Sequence, residues 1–466
     1  MARLPVPRSE LSQAEGVRDR PFGPIPAPVL EVIEVLRAGG HAAYVVGGSL
    51  RDLLIGREPE DWDLATDARP ERISDLFPGS VYENRFGTVA VRRGHDTFEI
   101  TTFRRDHDYA DFRRPHRVEF GETLEVDLAR RDFTVNALAW GGRPGETLGL
   151  EDPHRGLVDL ERRLLRAVGD PAERFGEDAL RMVRAVRLAT TLGFAIEPRT
   201  MSGIEARAEL VKHLSGERIA AELVKILAAP QPSLGLRSLA ATGLLGWIAP
   251  ELMAQRGVPQ NKVPGEDLWD HTVRSVDAAP VDRPVVRLAA LVHDIGKPST
   301  FAEDRFVGHE TVGAAMAGEL LDRLRVPRST AERVVHLVRQ HMFAYEPSWG
   351  DSAVRRFIAK IGKPALDELF ELRRADNVGS GLTADAGRLA ELRARVAEQL
   401  AADVPLDRGD LAIDGGDLIE ELGATPGPRL GAVLERLLEA VVEDPSLNDR
   451  STLLLLAQAQ LAGDAA

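Results

Sequence analysis

Residues 44–63 read YVVGGSLRDLLIGREPEDWD. An apolar run, Tyr44-Val45-Val46, meets Gly47-Gly48. A short helical pattern from Leu50 to Ile55 follows, and then Asp61-Trp62-Asp63. A strand ending in two glycines lets backbone N–H groups approach phosphates with no Cβ in the way. Asp61 and Asp63, at i and i+2 on a strand, point to one face. Hard carboxylate oxygens on one face suit Mg²⁺, which bridges a nucleotide's phosphates. Asp-x-Asp alone is common in solvated loops. Joined to the glycine pair and to Arg51-Asp52, it points to nucleotidyl transfer.

The chain has 466 residues, enough for two or three cores of ordinary size, and its 44% hydrophobic and 28% charged content is that of a globular protein. It has no cysteine, which excludes disulfides and thiolate metal sites and fits the cytoplasm as the expected compartment. The N-terminus lacks a signal-peptide pattern, and no apolar run approaches the ~18 residues of a membrane span. No membrane partner is expected. The formal net charge is −14, so a nucleic acid would have to be held by local basic patches. Arg104, Arg105, Arg113, Arg114 and Arg117 form one such cluster, and Arg181, Arg184 and Arg187 recur at every third position.

Residues 1–26 are rich in proline and charge and read as a disordered tail. From Ala27 to about Trp140, β-type runs (Ala43–Val46, Asp61–Ala65, Thr88–Arg92, Thr97–Phe103, Ala137–Trp140) alternate with helical patterns. From Leu160 the pattern is almost wholly helical, with Leu180, Val183, Val186 and Leu192 at 3.6-residue spacing. Residues 218–249 predict two helices around Pro230 and Pro232, and Ala254 to Pro264 reads as a linker. Residues 27–150 read as an α/β or α+β domain with a small mixed sheet, followed by mainly helical segments over 151–253, 265–380 and 381–466.

Glu99, on the strand FEITTF, is the candidate for a third catalytic carboxylate beside Asp61 and Asp63. Gly47, Gly48 and Arg51 belong to the expected NTP cradle. In RRDFTVNALAW, residues 130–140, Asp132 or Thr134 can start a helix as an N-cap. Arg131 can also meet a triphosphate, and Asp132 and Asn136 the ribose hydroxyls. In RFGEDALRMVRAVR, residues 174–187, a helix would set Asp178 beside Arg181 at i and i+3. The plain reading is a surface ion pair. Hydrogen-bond complementarity suggests more. Cytosine and adenine each offer an amino donor beside a ring-nitrogen acceptor, whereas uracil and guanine carry a donor at the ring nitrogen. A fixed carboxylate beside a fixed guanidinium therefore matches C and A and clashes with U and G.

GGSLRDLLIGREPEDWD, the EITTFR strand, RRDFTVNALAW, DPHRGLVDLERRLLRAVGDPAERFGEDALRMVRAVR and LGF, in that order, resemble the bacterial class II CCA-adding tRNA nucleotidyltransferases. The resemblance covers about residues 27–250. It implies an α+β fold with a polymerase-β-like nucleotidyltransferase head (27–150) followed by a helical neck (151–253), an HD-type helical body (265–380) and a helical tail (381–466), with CTP and ATP as substrates, tRNA as partner and Mg²⁺ as cofactor. It implies metal binding by Asp61 and Asp63, NTP binding by Arg131, Asp132 and Asn136, and base selection by Asp178 and Arg181. It also places Arg184 near the phosphates. FRRDHDYADFRRPHR, residues 103–117, corresponds to that family's flexible loop, and Arg104, Arg105, Arg113 and Arg114 would suit RNA contact.

LVHDIGKP, residues 291–298, reads as a helix carrying His293-Asp294 and ended by Gly296 and Pro298. With His271 upstream and His309, His341 and Asp376 downstream, the set suits a divalent metal, a transition metal among the candidates. It resembles the HD phosphohydrolases, which implies His271, His293, Asp294 and Asp376 as ligands, with His309 and His341 at additional positions. Four rivals stand beside CCA addition on the sequence: a poly(A) polymerase, an enzyme adding only CC or only A, an HD phosphohydrolase whose head merely binds RNA, and a non-catalytic RNA-binding protein, which two complete metal sites disfavour.

Overall fold

A computed structural model describes residues 25–84, 87–94, 96–109, 115–120, 123–260, 262–402 and 404–463. The expected N-terminal tail, apart from Ile25 and Pro26, lies outside the described residues, as do Arg113 and Arg114. The fold divides into two compact units, one ending at Pro250 and the other beginning at Glu251.

The first unit opens with α1 (Ala27–Ala38), β1 (Ala43–Val46), α2 (Gly48–Leu54), β2 (Asp63–Thr66), α3 (Pro70–Leu76), β3 (Val81–Asn84), β4 (Thr88–Arg93) and β5 (Asp96–Thr102). There follow β6 (Arg104–Tyr109), β7 (Pro115–Phe120), α4 (Leu124–Ala129), β8 (Ala139–Gly142) and β9 (Gly149–Glu151). Seven strands form one mixed sheet in the order β3-β4-β5-β2-β1-β8-β9. Its pair β2–β5 is parallel, and this sets Asp63 opposite Glu99. The all-buried pattern of β1 marks a strand covered on both faces. Tyr44, Val46, Ala65, Phe103 and Leu128 pack in the core on one side. The segment expected as a flexible loop is, where described, an antiparallel hairpin, with β6 paired to β7 from Arg104↔Phe120 to Tyr109↔Pro115.

Helices α5 (Gly156–Arg162), α6 (Pro171–Glu177), α7 (Leu180–Leu192), α8 (Pro198–Arg207) and α9 (Gly216–Leu227) follow. The single helix expected through Asp178 is thus two. Asp178 caps the end of α6 in extended conformation, φ −137° and ψ 105°, and α7 begins two residues later. The pair of helices expected over 218–249 is three, Gly216–Leu227, Pro232–Ala241 and Leu244–Ile248, because Gly243 adopts a left-handed φ of 78° between the last two.

In the second unit, helices Leu268–Ala278, Pro284–Val292, His309–Arg323, Arg328–Gln340 and Leu366–Gly379 pack together. The helix LVHDIGKP does not continue through its histidine. It ends at Val292, leaving His293 and Asp294 in the turn beyond, and Pro298 lies in the first turn of the next short helix, Lys297–Thr300, instead of stopping one. A proline ring fits a first helical turn because its missing N–H has no intrahelical partner there. Farther on, Leu418, Val433, Leu437, Val441, Leu453 and Ala457 form a separate apolar cluster. Leu437 is fully buried. Leu437→Ala should cost about 2–5 kcal/mol in denaturant unfolding, the range for emptying a well-packed leucine site.

Candidate functional sites: an acidic cleft and a histidine centre

The turn from β1 into α2 organises the first site. Gly47 has φ +80°, a region that L side chains rarely adopt. A Cβ there would lie 3.0 Å from Arg131 Nη1 and 3.7 Å from Asp63 Oδ2, so Arg131 and Asp63 flank the glycine. Arg131 Nη2 also donates to the buried Asp127 at 3.3 Å. Asp63 starts β2, while Asp61 precedes the strand in a bend, so the two carboxylates do not share one strand face as the spacing suggested. Glu99 follows buried Phe98 and precedes buried Ile100, which turns it to the open face. Register sets it on the same face as Asp63. Among the described residues, Asp61, Asp63 and Glu99 do not gather three ligand atoms within 4.8 Å of one another.

Charge explains what the cleft is suited to hold. Asp63 is reached by solvent, yet the cleft walls withdraw enough water to raise its carboxyl above the usual range. Arg131 opposes that rise, the charge of Asp61 adds to it, and Arg184 also opposes it. A partly desolvated carboxylate with a second one beside it fits a hard divalent cation, which offsets both the burial cost and the repulsion. A cavity of about 490 Å³ opens here, lined among others by Gly48, Asp61, Asp63, Arg57, Arg187 and Lys225.

A polar chain runs back from the cleft. Arg51 is clasped by Asp52 at 2.8 and 2.9 Å and donates through Nη1 to Asn136 Oδ1 at 2.6 Å. Asn136 Nδ2 donates to Asp132 Oδ1 at 3.0 Å, and Arg184 Nη2 meets Asp132 Oδ2 at 2.9 Å. Burial would raise the Asp132 carboxyl, but Arg184, Asn136 and Arg181 outweigh it and hold the group below its ordinary value. The helix expected after Asp132 is one 3₁₀ turn, Thr134–Asn136.

The structure does not pair Asp178 with Arg181. Arg181 Nη1 meets Glu177 at 2.6 Å, and its Nη2 donates to the Arg130 carbonyl at 3.0 Å. Asp178 is held by Arg218 Nη2, at 3.2 Å to Oδ1 and 2.9 Å to Oδ2. The reason is the break at Asp178, which destroys the helical i, i+3 geometry. Arg218 was not legible in the sequence, since it lies 40 residues away and no periodicity links the two. Arg104 is half-buried and Arg105 exposed at the start of β6.

In the second unit the histidines converge. His271 Nε2 lies 3.1 Å from His293 Nε2, 3.2 Å from Asp294 Oδ2 and 3.4 Å from Asp376 Oδ1. His309 Nε2 lies 3.3 Å from His341 Nε2 and 3.4 Å from Asp294 Oδ1. Two triads result: His271, His293 and Asp376, and Asp294, His309 and His341. The close approach depends on Gly296, where a Cβ would fall 2.4 Å from the His309 carbonyl oxygen. Lys297, missed in the sequence although it lies within the same motif, contacts Asp294 Oδ2 at 2.6 Å.

The donor set fits a cation. The Nδ1 atoms of His293, His309 and His341 lie 2.8, 2.7 and 2.6 Å from the carbonyls of Ala290, Phe306 and Val338. A carbonyl can only accept, so each Nδ1 carries the proton and each Nε2 is left to face its neighbours. For His309 and His341 two lone pairs then point at one space beside a carboxylate, which a divalent metal resolves. Burial lowers the His271 and His341 pKa values and keeps both able to ligate. Burial acts the same way on His293, but Asp294 and Asp376 outweigh it and hold that group above its usual value. Asp294 itself is held well below the carboxylate range, its burial overcome by His293, Lys297 and His271. Zn²⁺ or Mn²⁺ at 100 times Kd should add about 2.7 kcal/mol of stability, read as a rise in Tm. Asp294→Asn should lose most of that rise; equal shifts in both proteins would refute the metal assignment.

Among the described residues, no helix is long and apolar enough to cross a membrane. Residues 43–166 match the "Poly A polymerase head domain" family, 193–256 the "Probable RNA and SrmB-binding site of polymerase A" and 238–380 the HD domain. Residues 310–457 match "tRNA nucleotidyltransferase domain 2 putative". A CCA-adding enzyme of Streptococcus thermophilus is 33% identical over 92% of this chain and 96% of its own. One from Geobacillus kaustophilus is 35% identical over 90% and 94%. The crystal structure of the Bacillus stearothermophilus CCA-adding enzyme in complex with CTP superimposes with a TM-score of 0.69 at 29% identity, over 95% of this chain and 99% of that one. With a nucleotidyltransferase head, an HD unit and full-length likeness to these proteins, the chain belongs to the CCA-adding enzyme family.

Proposed function

We propose that this protein adds C, C and A to the 3′ end of tRNA from CTP and ATP without a nucleic-acid template. The observation that carries the reading is the Gly47 turn, flanked by Arg131 and Asp63, with Asp63 and Asp61 lining the adjoining cavity. Asp61 and Asp63, with Glu99 alongside, would hold divalent cations, Mg²⁺ in this reading, whose chemistry is to acidify the RNA 3′-hydroxyl and offset charge on the leaving pyrophosphate. Arg131 and Arg184 supply positive charge toward the triphosphate. Arg51 orients Asn136, and Asn136 orients Asp132, so the groups expected at the ribose are locked before a nucleotide arrives. Asp178 and Arg181 select the base, each held from outside the pair, by Arg218 and by Glu177. Arg104, Arg105, Arg113 and Arg114 contact RNA. The head spans 27–150, the neck 151–253, the HD-type body 265–380 and the tail 381–466.

Purified protein, a tRNA lacking its 3′ end and each NTP singly should give incorporation of C and A that stops after three residues. Unlimited A tracts would overturn the reading. Asp61→Ala should lower incorporation by about 10³-fold, equal to roughly 4 kcal/mol of lost charge stabilisation, with tRNA binding nearly unchanged.

The raised Asp63 carboxyl sets an acid limb. As pH falls, Asp63 takes up a proton earlier than an ordinary aspartate would, and cation binding is lost with it. Incorporation should fall at a higher pH than a normal carboxylate predicts, and extra Mg²⁺ should move that limb downward. The sign for folding is opposite. A carboxyl with a raised native pKa contributes stability below its unfolded pKa and loses it as pH rises through the native one. Asp63→Asn should therefore slightly raise Tm at neutral pH without Mg²⁺ while abolishing turnover.

A second activity is favoured by the convergent histidines. We propose that the HD centre binds a divalent metal and hydrolyses phosphate esters. Hydrolysis of a chromogenic phosphodiester or phosphomonoester that persists in Asp61→Ala and vanishes in His293→Ala supports this; no hydrolysis with any divalent metal refutes it.

A further inference from the structure

We propose that Arg218 is a positioning residue that sets base specificity, by fixing the Asp178 carboxylate in the orientation that accepts an amino group. The idea rests on the base-selection reading of Asp178 and Arg181 given above.

Asp178 sits in the break between α6 and α7, where no helix repeat holds its side chain. Its carboxylate accepts the Leu180 N–H at 3.1 Å, which is a local cap and leaves the group free to rotate about that bond. Arg218, in the first turn of α9, spans both carboxylate oxygens with one amino group. Arg181 cannot take that role, because its two amino groups already serve Glu177 and the carbonyls of Arg174 and Arg130. One turn further along α9, Glu222 meets Arg187 of α7 at 2.5 Å. Helix α9 is thus anchored to α7 at a second point, and Arg218 is delivered to Asp178 from a fixed support. The Arg218 Nη1 atom is shut off from solvent and has no hydrogen-bond partner among the described residues. A buried unpaired guanidinium N–H costs free energy, which an incidental surface ion pair would avoid by turning to water.

The consequence follows from the hydrogen-bond code. Uracil and guanine present a carbonyl oxygen where cytosine and adenine present an amino group. A clamped carboxylate faces that oxygen acceptor to acceptor and rejects it. A carboxylate free to swing away escapes the clash, and rejection weakens. Losing Arg218 should therefore admit U and G more than it weakens C and A.

The test measures kcat/KM for each of the four NTPs on a tRNA lacking its 3′ end, for Arg218→Met, Arg218→Lys, Glu222→Gln and Asp178→Asn. Arg218→Met should lower the C-over-U ratio by about tenfold or more, with tRNA Kd unchanged. Arg218→Lys, which keeps a charge but makes a single contact, should fall between Met and wild type. Glu222→Gln, which loosens the support of α9 without touching Asp178, should lower the ratio in the same direction as Arg218→Met but by less. A uniform loss for all four NTPs in Arg218→Met would reduce Arg218 to a structural clamp and overturn the proposal. Should that variant fail to fold, an unchanged C-over-U ratio in Arg218→Lys overturns it equally. A ratio that collapses in Asp178→Asn but holds in the Arg218 variants sinks the role of Arg218 alone. A ratio that holds in Asp178→Asn sinks the base-selection reading and this proposal together.

Discussion

Asp132 is a buried carboxylate, and Arg184 is what allows it to stay ionised there. An uncompensated charge at that depth would be protonated or would pull the site open. The pair joins the segment after α4 to helix α7, and through Asn136 it reaches Arg51 on α2. Three pieces of chain distant in sequence are therefore locked by one run of charge-assisted bonds. The strands supply the frame, and this run fixes where the arginines point. Arg184 is stabilised in its charged form by the same contact, with Asp132 the largest cause.

The same rule governs the second unit in a different currency. There the carboxylates of Asp294 and Asp376 are answered by histidines and by Lys297, and three histidines have their tautomer set by backbone carbonyls. Backbone geometry does the aiming. His293 lies just past a helix end, His309 begins a helix and His341 follows one. Side chains at helix ends leave the helical repeat, so they can converge from several helices on one point. Gly296 lets two of those helices approach closely enough for the convergence to occur.

Sequence alone was informative where chemistry is local. The glycine pair, Asp61-x-Asp63, the RRD segment and the HD dipeptide are short motifs whose spacing carries their meaning, and the α+β fold class follows from the switch in apolar period after the head. The parallel pairing that sets Glu99 beside Asp63 was accessible only as a guess, because strand order is not written in either strand.

What tertiary structure decided was which charge answers which. Asp178 and Arg181 sit three apart, and a continuous helix would have joined them; the chain breaks at Asp178, and the partner comes instead from α9. His293 and Asp294 were legible as candidate ligands, but not as residues of a turn. Composition and motif spacing determined the chemistry available to this protein: carboxylates for cations, arginines for phosphates, histidines for a metal. Pairing was left to packing, since an ion pair depends on distance in space, and distance between residues far apart in the chain exists only once the helices have closed on one another.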